Sequence, residues 1–206
     1  MIVVVDYGMG NLHSVAKALV EAGGRVQVTN RPDQIAQADA LVVPGVGAFG
    51  DAMRELRALG LCRVIREHIE ADKPFLGICL GLQLLFEKGF EDGKHKGLGV
   101  FRGNVVRFQL DDPSLKIPHM GWNRIRMTRD VQQLEGLTSG DYFYFVHSYY
   151  PQPEDPGIVA TWTDYGNEFA SSVARGKLFA CQFHPEKSQT LGLRVLRNFV
   201  RLAGDA

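Results

Sequence analysis

The chain opens on Ile2-Val3-Val4-Val5, an apolar run too short for a helix and suited to a strand buried on both faces of a parallel sheet. Asp6-Tyr7-Gly8-Met9-Gly10-Asn11 punctuates it. Leu12, Val15, Ala16, Leu19 and Val20 then recur at helical spacing until Gly23-Gly24. Val26 and Val28 begin a second strand and Ala40–Val43 a third, with Ile35 in a short polar connection between them. Beyond the loop Pro44–Gly50, a helical pattern runs through Met53, Leu56, Leu59, Val64, Ile65 and Ile69, with a break near Gly60. Pro74 opens a fourth strand, Phe75–Ile78, and Leu82, Leu84, Leu85 and Phe86 predict a helix after it.

From Glu87 the rhythm changes. The polar, glycine-rich stretch Glu87–Gly97 reads as a surface connection. Asn104–Leu110, Tyr142–Tyr149, Ile158–Thr163, Ala170–Ala174 and Leu178–Phe183 read as closely spaced short strands, which suggests hairpins. A last helix from Leu191 to Leu202 puts Leu191, Val195, Phe199 and Leu202 on one face. The pattern predicts an α/β fold with a doubly wound, mostly parallel sheet carrying an antiparallel extension. No repeat or linker divides the chain, so a single domain over residues 1–206 is expected.

Composition narrows the function. Lys plus Arg and Asp plus Glu balance at 23 each, which argues against nucleic acid or a membrane surface as partner. Three cysteines without close pairing fit neither a disulfide framework nor a zinc site. The expectation is a reduced, cytoplasmic protein with no metal and no cofactor.

Cys79 is the candidate nucleophile. It sits in Gly77-Ile78-Cys79-Leu80-Gly81, where a buried strand turns into a helix, and a thiol replaces the hydroxyl usual in this frame. The flanking glycines remove Cβ atoms that would clash in so tight a turn, and the helix dipole behind it favours a thiolate. Cys62, on a helical pattern, and Cys181, in an apolar strand, read as structural.

A thiol nucleophile needs an imidazole base and a group that orients it. Of six histidines, His184 in Phe183-His184-Pro185-Glu186 has the most informative context. Pro185 biases His184 to an extended conformation, in which His184 and Glu186 would point the same way. His13, His68 and His95 read as surface or packing residues, while the aromatic surroundings of His119 and His147 leave them open. Attack on an amide also needs donors for the developing oxyanion. The N–H of Leu80 is one candidate, and the loop Pro44-Gly45-Val46-Gly47, through Val46 or Gly47, is another.

With these residues assembled, the chain resembles the class I, triad-type glutamine amidotransferases over nearly its whole length. Gly77-Ile78-Cys79-Leu80-Gly81-Leu82-Gln83 is similar to their nucleophile motif and His184-Pro185-Glu186 to their second catalytic motif. Asp6–Asn11, Pro44–Gly47, Pro118–Asn123, Tyr144–Tyr149 and His184–Ser188 narrow the resemblance to the glutaminase subunits of imidazole glycerol phosphate synthase. The resemblance implies a γ-glutamyl thioester on Cys79, proton transfer by His184, and orientation of His184 by Glu186. Gln83, Gly47, His147, Ser148 and Tyr149 would hold glutamine. It further implies a heterodimer with a cyclase subunit, a (β/α)8 barrel, met by Asn11, Met120, Trp122, Tyr144 and Lys187. Residue type alone would instead put Met120, Trp122 and Tyr144 in the core. Low activity of the isolated subunit is also implied, and the glycines around Val46 suggest a peptide that presents its donor only in the liganded complex. A free-standing cysteine hydrolase of the same fold is the alternative.

Overall fold

The apolar runs of the first third become β1 (Ile2–Val5), β2 (Val26–Thr29), β3 (Ala40–Gly45) and β4 (Phe75–Cys79), all parallel. Between them lie α1 (Leu12–Glu21), α2 (Pro32–Ala36), α3 (Phe49–Ala58) and α4 (Leu61–Glu70), with α5 (Leu80–Gln83) directly after β4. Gly60, at φ 68°, separates α3 from α4 at the expected break. This computed structural model describes residues 1–204, so the last two residues of the 1–206 span lie outside it.

The alternation within each strand explains why both sheet faces are covered. Val3, Val5, Leu41 and Val43 pack with α2, α3 and α4 on one face. Ile2, Val4, Ala40 and Val42 pack on the other against Val15 and Leu19 of α1 and Val195 and Phe199 of the last helix. Every one of these strand residues is at most 1% exposed, as a sheet wound on both sides requires.

The remaining strands are β5 (Phe86–Gly89), β6 (His95–Lys96), β7 (Phe101–Arg107), β8 (His119–Arg124), β9 (Arg126–Met127), β10 (Tyr142–His147), β11 (Tyr149–Pro153), β12 (Val159–Asp164), β13 (Glu168–Arg175) and β14 (Leu178–Cys181). α6 (Gln189–Leu202) closes the chain. The main sheet runs β2-β1-β3-β4-β14-β13-β12-β9. β14 joins β4 in parallel, and β13, β12 and β9 extend it antiparallel, which is the predicted mixed α/β architecture. β10 and β8 form a separate ribbon, and β11-β7-β5-β6 a further small sheet. No helix among the described residues is long and apolar enough to cross a membrane.

Three local expectations fail. Ile35 lies in α2 and is fully buried, rather than in a polar connection. The helix after Cys79 stops at Gln83, because the carbonyls of Leu84 and Leu85 accept from Leu98 and from Val100 and Phe101. Phe86 therefore enters a strand, and Glu87–Gly97 contains β5 and β6 instead of a bare connection. An apolar run buried on all sides has no period that separates helix from strand. β8 escapes the pattern for the opposite reason. Its buried residue is His119, whereas Met120 and Trp122 face outward, so its polarity is inverted.

Candidate active site

β3, β4 and β14 end side by side, and the segments leaving their C-terminal ends build the site, as in other open α/β sheets. Cys79 has φ 53° and ψ −107°, a conformation costing a non-glycine residue on the order of 1–3 kcal/mol. Close packing enforces it. A Cβ on Gly77 would come within 2.9 Å of Ala180 Cβ and the Gly81 carbonyl oxygen, and one on Gly81 within 1.8 Å of the Val43 carbonyl oxygen. The glycines thus let the turn press against β3 and β14. α5 has only four residues, so the dipole expected behind the thiol is a minor influence.

His184 is extended, with φ −102° and ψ 95°, but Pro185–Lys187 winds into a 3-10 turn. Strand alternation is therefore not what joins His184 to Glu186. Nδ1 instead donates to Glu186 Oε1 at 2.8 Å across the start of that turn. The His184 N–H donates to the Tyr144 carbonyl at 2.9 Å, and the Ser188 hydroxyl donates to the His184 carbonyl at 2.6 Å. Ser188 Oγ in turn accepts from the Tyr144 N–H at 3.0 Å.

The imidazole is only 2% exposed. Burial by itself lowers its pKa, yet interaction with Cys79 and with Glu186 outweighs burial and pushes it up to about 10. Nε2 has no hydrogen-bond partner of acceptable geometry. The Cys79 thiol is the first of the influences that raise the pKa, ahead of Glu186. Burial, reinforced by Glu186 and Cys79, raises the Cys181 thiol well above its ordinary value, and its Sγ lies 3.4 Å from the Phe183 carbonyl oxygen. Cys62 is half-buried on α4, where burial raises it too. Neither lines the cavity over Cys79, and burial favours the thiol form of both.

A cavity of about 380 Å³ opens over Cys79. Leu80, Val46, Gly47, Gln83, His147, Ser148 and Tyr149 line it. Leu80 begins α5, so its N–H has no partner a turn earlier within that helix. The other donor loop is anchored from the segment after β1: the Tyr7 hydroxyl donates to the Pro44 carbonyl at 2.7 Å. A Cβ on Gly45 would meet that hydroxyl at 2.1 Å, so the anchor requires glycine there. Gly47 has φ 102°, a region glycine occupies without strain.

Gln83 lines the cavity. Its Nε2 donates to the Tyr149 carbonyl at 2.9 Å and to Gln182 Oε1 at 3.1 Å, so both amide protons are committed to the wall. His147 donates from Nδ1 to the same carbonyl at 2.9 Å, which leaves its Nε2 to accept from His119 Nδ1 at 3.1 Å. Burial lowers these two pKa values to about 3 for His147 and about 4 for His119. Burial thus favours the neutral form of both rings, and His147 also lines the cavity.

Two site residues carry little sequence signal. Gln182 is fully buried with Nε2 3.5 Å from Cys79 Sγ, and only its polarity within the apolar run before His184 marks it. Glu91 is the one carboxylate on the cavity wall among the described residues. Burial raises its pKa, and it accepts the Phe49 N–H at 2.8 Å. It lies in the stretch that reads as a surface connection.

On the outer side, Met120 and Trp122 are 62% and 46% exposed, so neither is a core residue. Trp122 sits edge-on to Tyr144 with ring centroids 6.1 Å apart, and Lys187 Nζ lies 5.8 Å from the Tyr144 ring centre. Asn11, at the end of the β1 loop, caps α1 by accepting the Ser14 N–H at 3.2 Å.

A family model described as glutamine amidotransferase class-I matches residues 3–203. The chain is 56% identical over 202 residues to the imidazole glycerol phosphate synthase subunit HisH of Aquifex aeolicus, covering 98% of this chain and 96% of that protein. It is 54% identical to the subunit of the same name from Rhodopirellula baltica, over 97% and 96% of the two chains. A crystal structure of a glutamine amidotransferase shares the fold with a TM-score of 0.76 at 23% identity, covering 99% of this chain and 100% of the other. The strained cysteine turn, the buried His–Glu pair and these full-length matches agree, and the chain belongs to the class-I glutamine amidotransferases and, within them, to the HisH family.

Proposed function

We propose that this chain is the glutaminase subunit of imidazole glycerol phosphate synthase, hydrolysing glutamine to glutamate and supplying ammonia to a partner cyclase. The observation that carries this reading is the juxtaposition, at the C-terminal ends of β4 and β14, of strained Cys79 with the carboxylate-bound His184, whose pKa is pushed up.

In this reading the Cys79 sulfur attacks the glutamine side-chain carbonyl carbon, and the C=O electron pair moves onto oxygen. The Leu80 N–H and a donor from Val46 or Gly47 receive that oxyanion. His184 gives its Nε2 proton to the departing nitrogen, which leaves as ammonia. Water then attacks the thioester, returning a proton to His184, and glutamate and the free sulfur are released. Glu186 holds the ring throughout by its bond to Nδ1. Glu91 supplies the negative charge that the substrate's α-ammonium group requires on the cavity wall, and Ser148 and Tyr149 shape the remainder.

The partner would be a (β/α)8 barrel forming a heterodimer through Met120, Trp122, Tyr144, Lys187 and Asn11. Exposed aromatic rings beside a cation support such a surface, because these groups dominate well-packed interfaces. The barrel would use ammonia to make imidazole glycerol phosphate and an aminoimidazole carboxamide ribotide in histidine biosynthesis, within the cytoplasm and with no cofactor on this subunit. The peptide around Val46 would gate the reaction, withholding one oxyanion donor until the complex is liganded. One such donor is worth about 10²–10³ in rate.

Glutamate release by the chain alone, and with the cyclase and its ligand, tests the assignment. Stimulation on the order of 10² or more only in the liganded complex is the expected result. Full turnover without a partner would make the protein a free-standing hydrolase. Cys79→Ala should abolish glutamine-driven synthesis and spare synthesis from added ammonium salt, and equal loss of both would mean that Cys79 serves folding or assembly.

A further inference from the structure

We infer that Gln182 is a further catalytic group, whose side-chain amide donates a hydrogen bond to the Cys79 sulfur and stabilises that sulfur as it leaves the acyl-enzyme. The inference rests on the thioester reaction proposed above.

Gln182 follows β14 directly and is fully buried, with its N–H donated to the Ser171 carbonyl at 2.8 Å. Its amide orientation is dictated by its neighbours. The Tyr149 carbonyl can only accept, so the nitrogen of Gln83 must face it. The same nitrogen lies 3.1 Å from Gln182, whose facing atom must therefore be oxygen. That leaves Gln182 Nε2 turned to Cys79 Sγ at 3.5 Å. A polar residue buried this deeply in an apolar run is costly unless each end is satisfied, and both ends are.

Besides His184, the sulfur meets the Val146 carbonyl at 3.9 Å, which suits an S–H and opposes a negative sulfur. Gln182 supplies the opposite preference. During acylation the sulfur begins as the charged nucleophile, so a donor there stabilises the starting state and does little for attack. Deacylation is different. Water oxygen bonds to the thioester carbon, its proton passes to His184, and the tetrahedral intermediate collapses by breaking C–S with the electron pair moving to sulfur. Negative charge develops on the sulfur in that step, 3.5 Å from the Gln182 donor. Removing the donor should therefore slow deacylation more than acylation.

Gln182→Met keeps the volume and removes the donor, and Gln182→Asn keeps the amide while withdrawing it from the sulfur. Both are to be measured in the complex with the cyclase and its ligand, and the Asn variant decides if the Met variant does not fold. The expected result is a fall in kcat of about 10–10² fold, with KM for glutamine falling alongside it. The γ-glutamyl thioester should then accumulate as added mass on Cys79 after acid quench. A KM that is unchanged or raised, with no accumulated thioester, would overturn the inference and leave Gln182 a packing residue. A wild-type complex that hydrolyses no glutamine would instead remove the proposed reaction itself.

Discussion

Two of the regions that bury imidazoles do so almost equally and leave them in opposite states. His184, His119 and His147 are 2%, 3% and 5% exposed. His184 is pushed up to about 10, whereas His119 falls to about 4 and His147 to about 3. Burial is common to all three and favours the neutral ring, so it cannot be the cause of the difference. The partners are. His184 bonds a carboxylate and lies beside the reactive sulfur, while His119 and His147 bond one another, a carbonyl and the amide of Asn123. His119 is also stacked on Tyr165, with ring centroids 3.9 Å apart. The sign of the nearest partner decides what a buried histidine does: at the C-terminal rim of the sheet it holds a proton to give, and beside the β8–β10 ribbon it is neutral.

The largest effect that contrast predicts comes from replacing the charged ring. His184→Asn should lower glutamine hydrolysis by on the order of 10⁴–10⁶ fold, leaving ammonium-driven synthesis in the complex intact. His119→Phe, which removes an equally buried ring, should change hydrolysis by less than about tenfold. A comparable loss from both would erase the distinction drawn here.

Next in size is Glu186→Gln. An amide keeps the shape but removes one of the two influences opposing burial, so the His184 pKa should drop and the rate fall by about 10²–10⁴ fold. The alkaline limb of the rate profile should move to lower pH, and an unmoved limb would mean that Cys79 alone holds the proton.

Stability should separate the two regions by pH. His119 and His147 have folded values below the unfolded 6.5, so their contribution is present above pH 6.5 and lost as pH falls towards about 4 and then 3. His184 has a folded value above 6.5, so its contribution is complete below pH 6.5 and lost as pH rises through about 10. Melting temperature against pH should show both limbs, with His119→Phe flattening only the acid one and Glu186→Gln only the alkaline one. The smallest effect is that of Cys62→Ala, half-buried and away from the site. It should cost about 1 kcal/mol or less in a denaturant melt and leave hydrolysis unchanged.

Much of the site was legible because its chemistry is local. The Gly77–Gly81 frame encodes a tight turn whose clashes are with immediate neighbours in the sheet, and Pro185 fixes where the chain bends after His184. The hydrogen-bond partners of Gln83 were not legible, because Tyr149 and Gln182 lie far along the chain. Glu91 was hidden for a related reason: its polar, glycine-rich surroundings look like a surface connection until β5 and β6 carry them to the cavity. β8 was invisible because Met120 and Trp122 point outward, against the rule that apolar residues face in.

By itself the sequence determined the parallel core, the order of its strands and helices along the chain, the strained cysteine and the His–Glu pair. The core follows from short-range periodicity, and the turn at Cys79 and the bend at Pro185 from steric limits that a few consecutive residues express. Only the tertiary structure decided which histidines carry charge, which way the Gln182 amide turns and which carboxylate reaches the cavity. Those depend on the sign and distance of partners up to 103 residues apart, and no local pattern contains them.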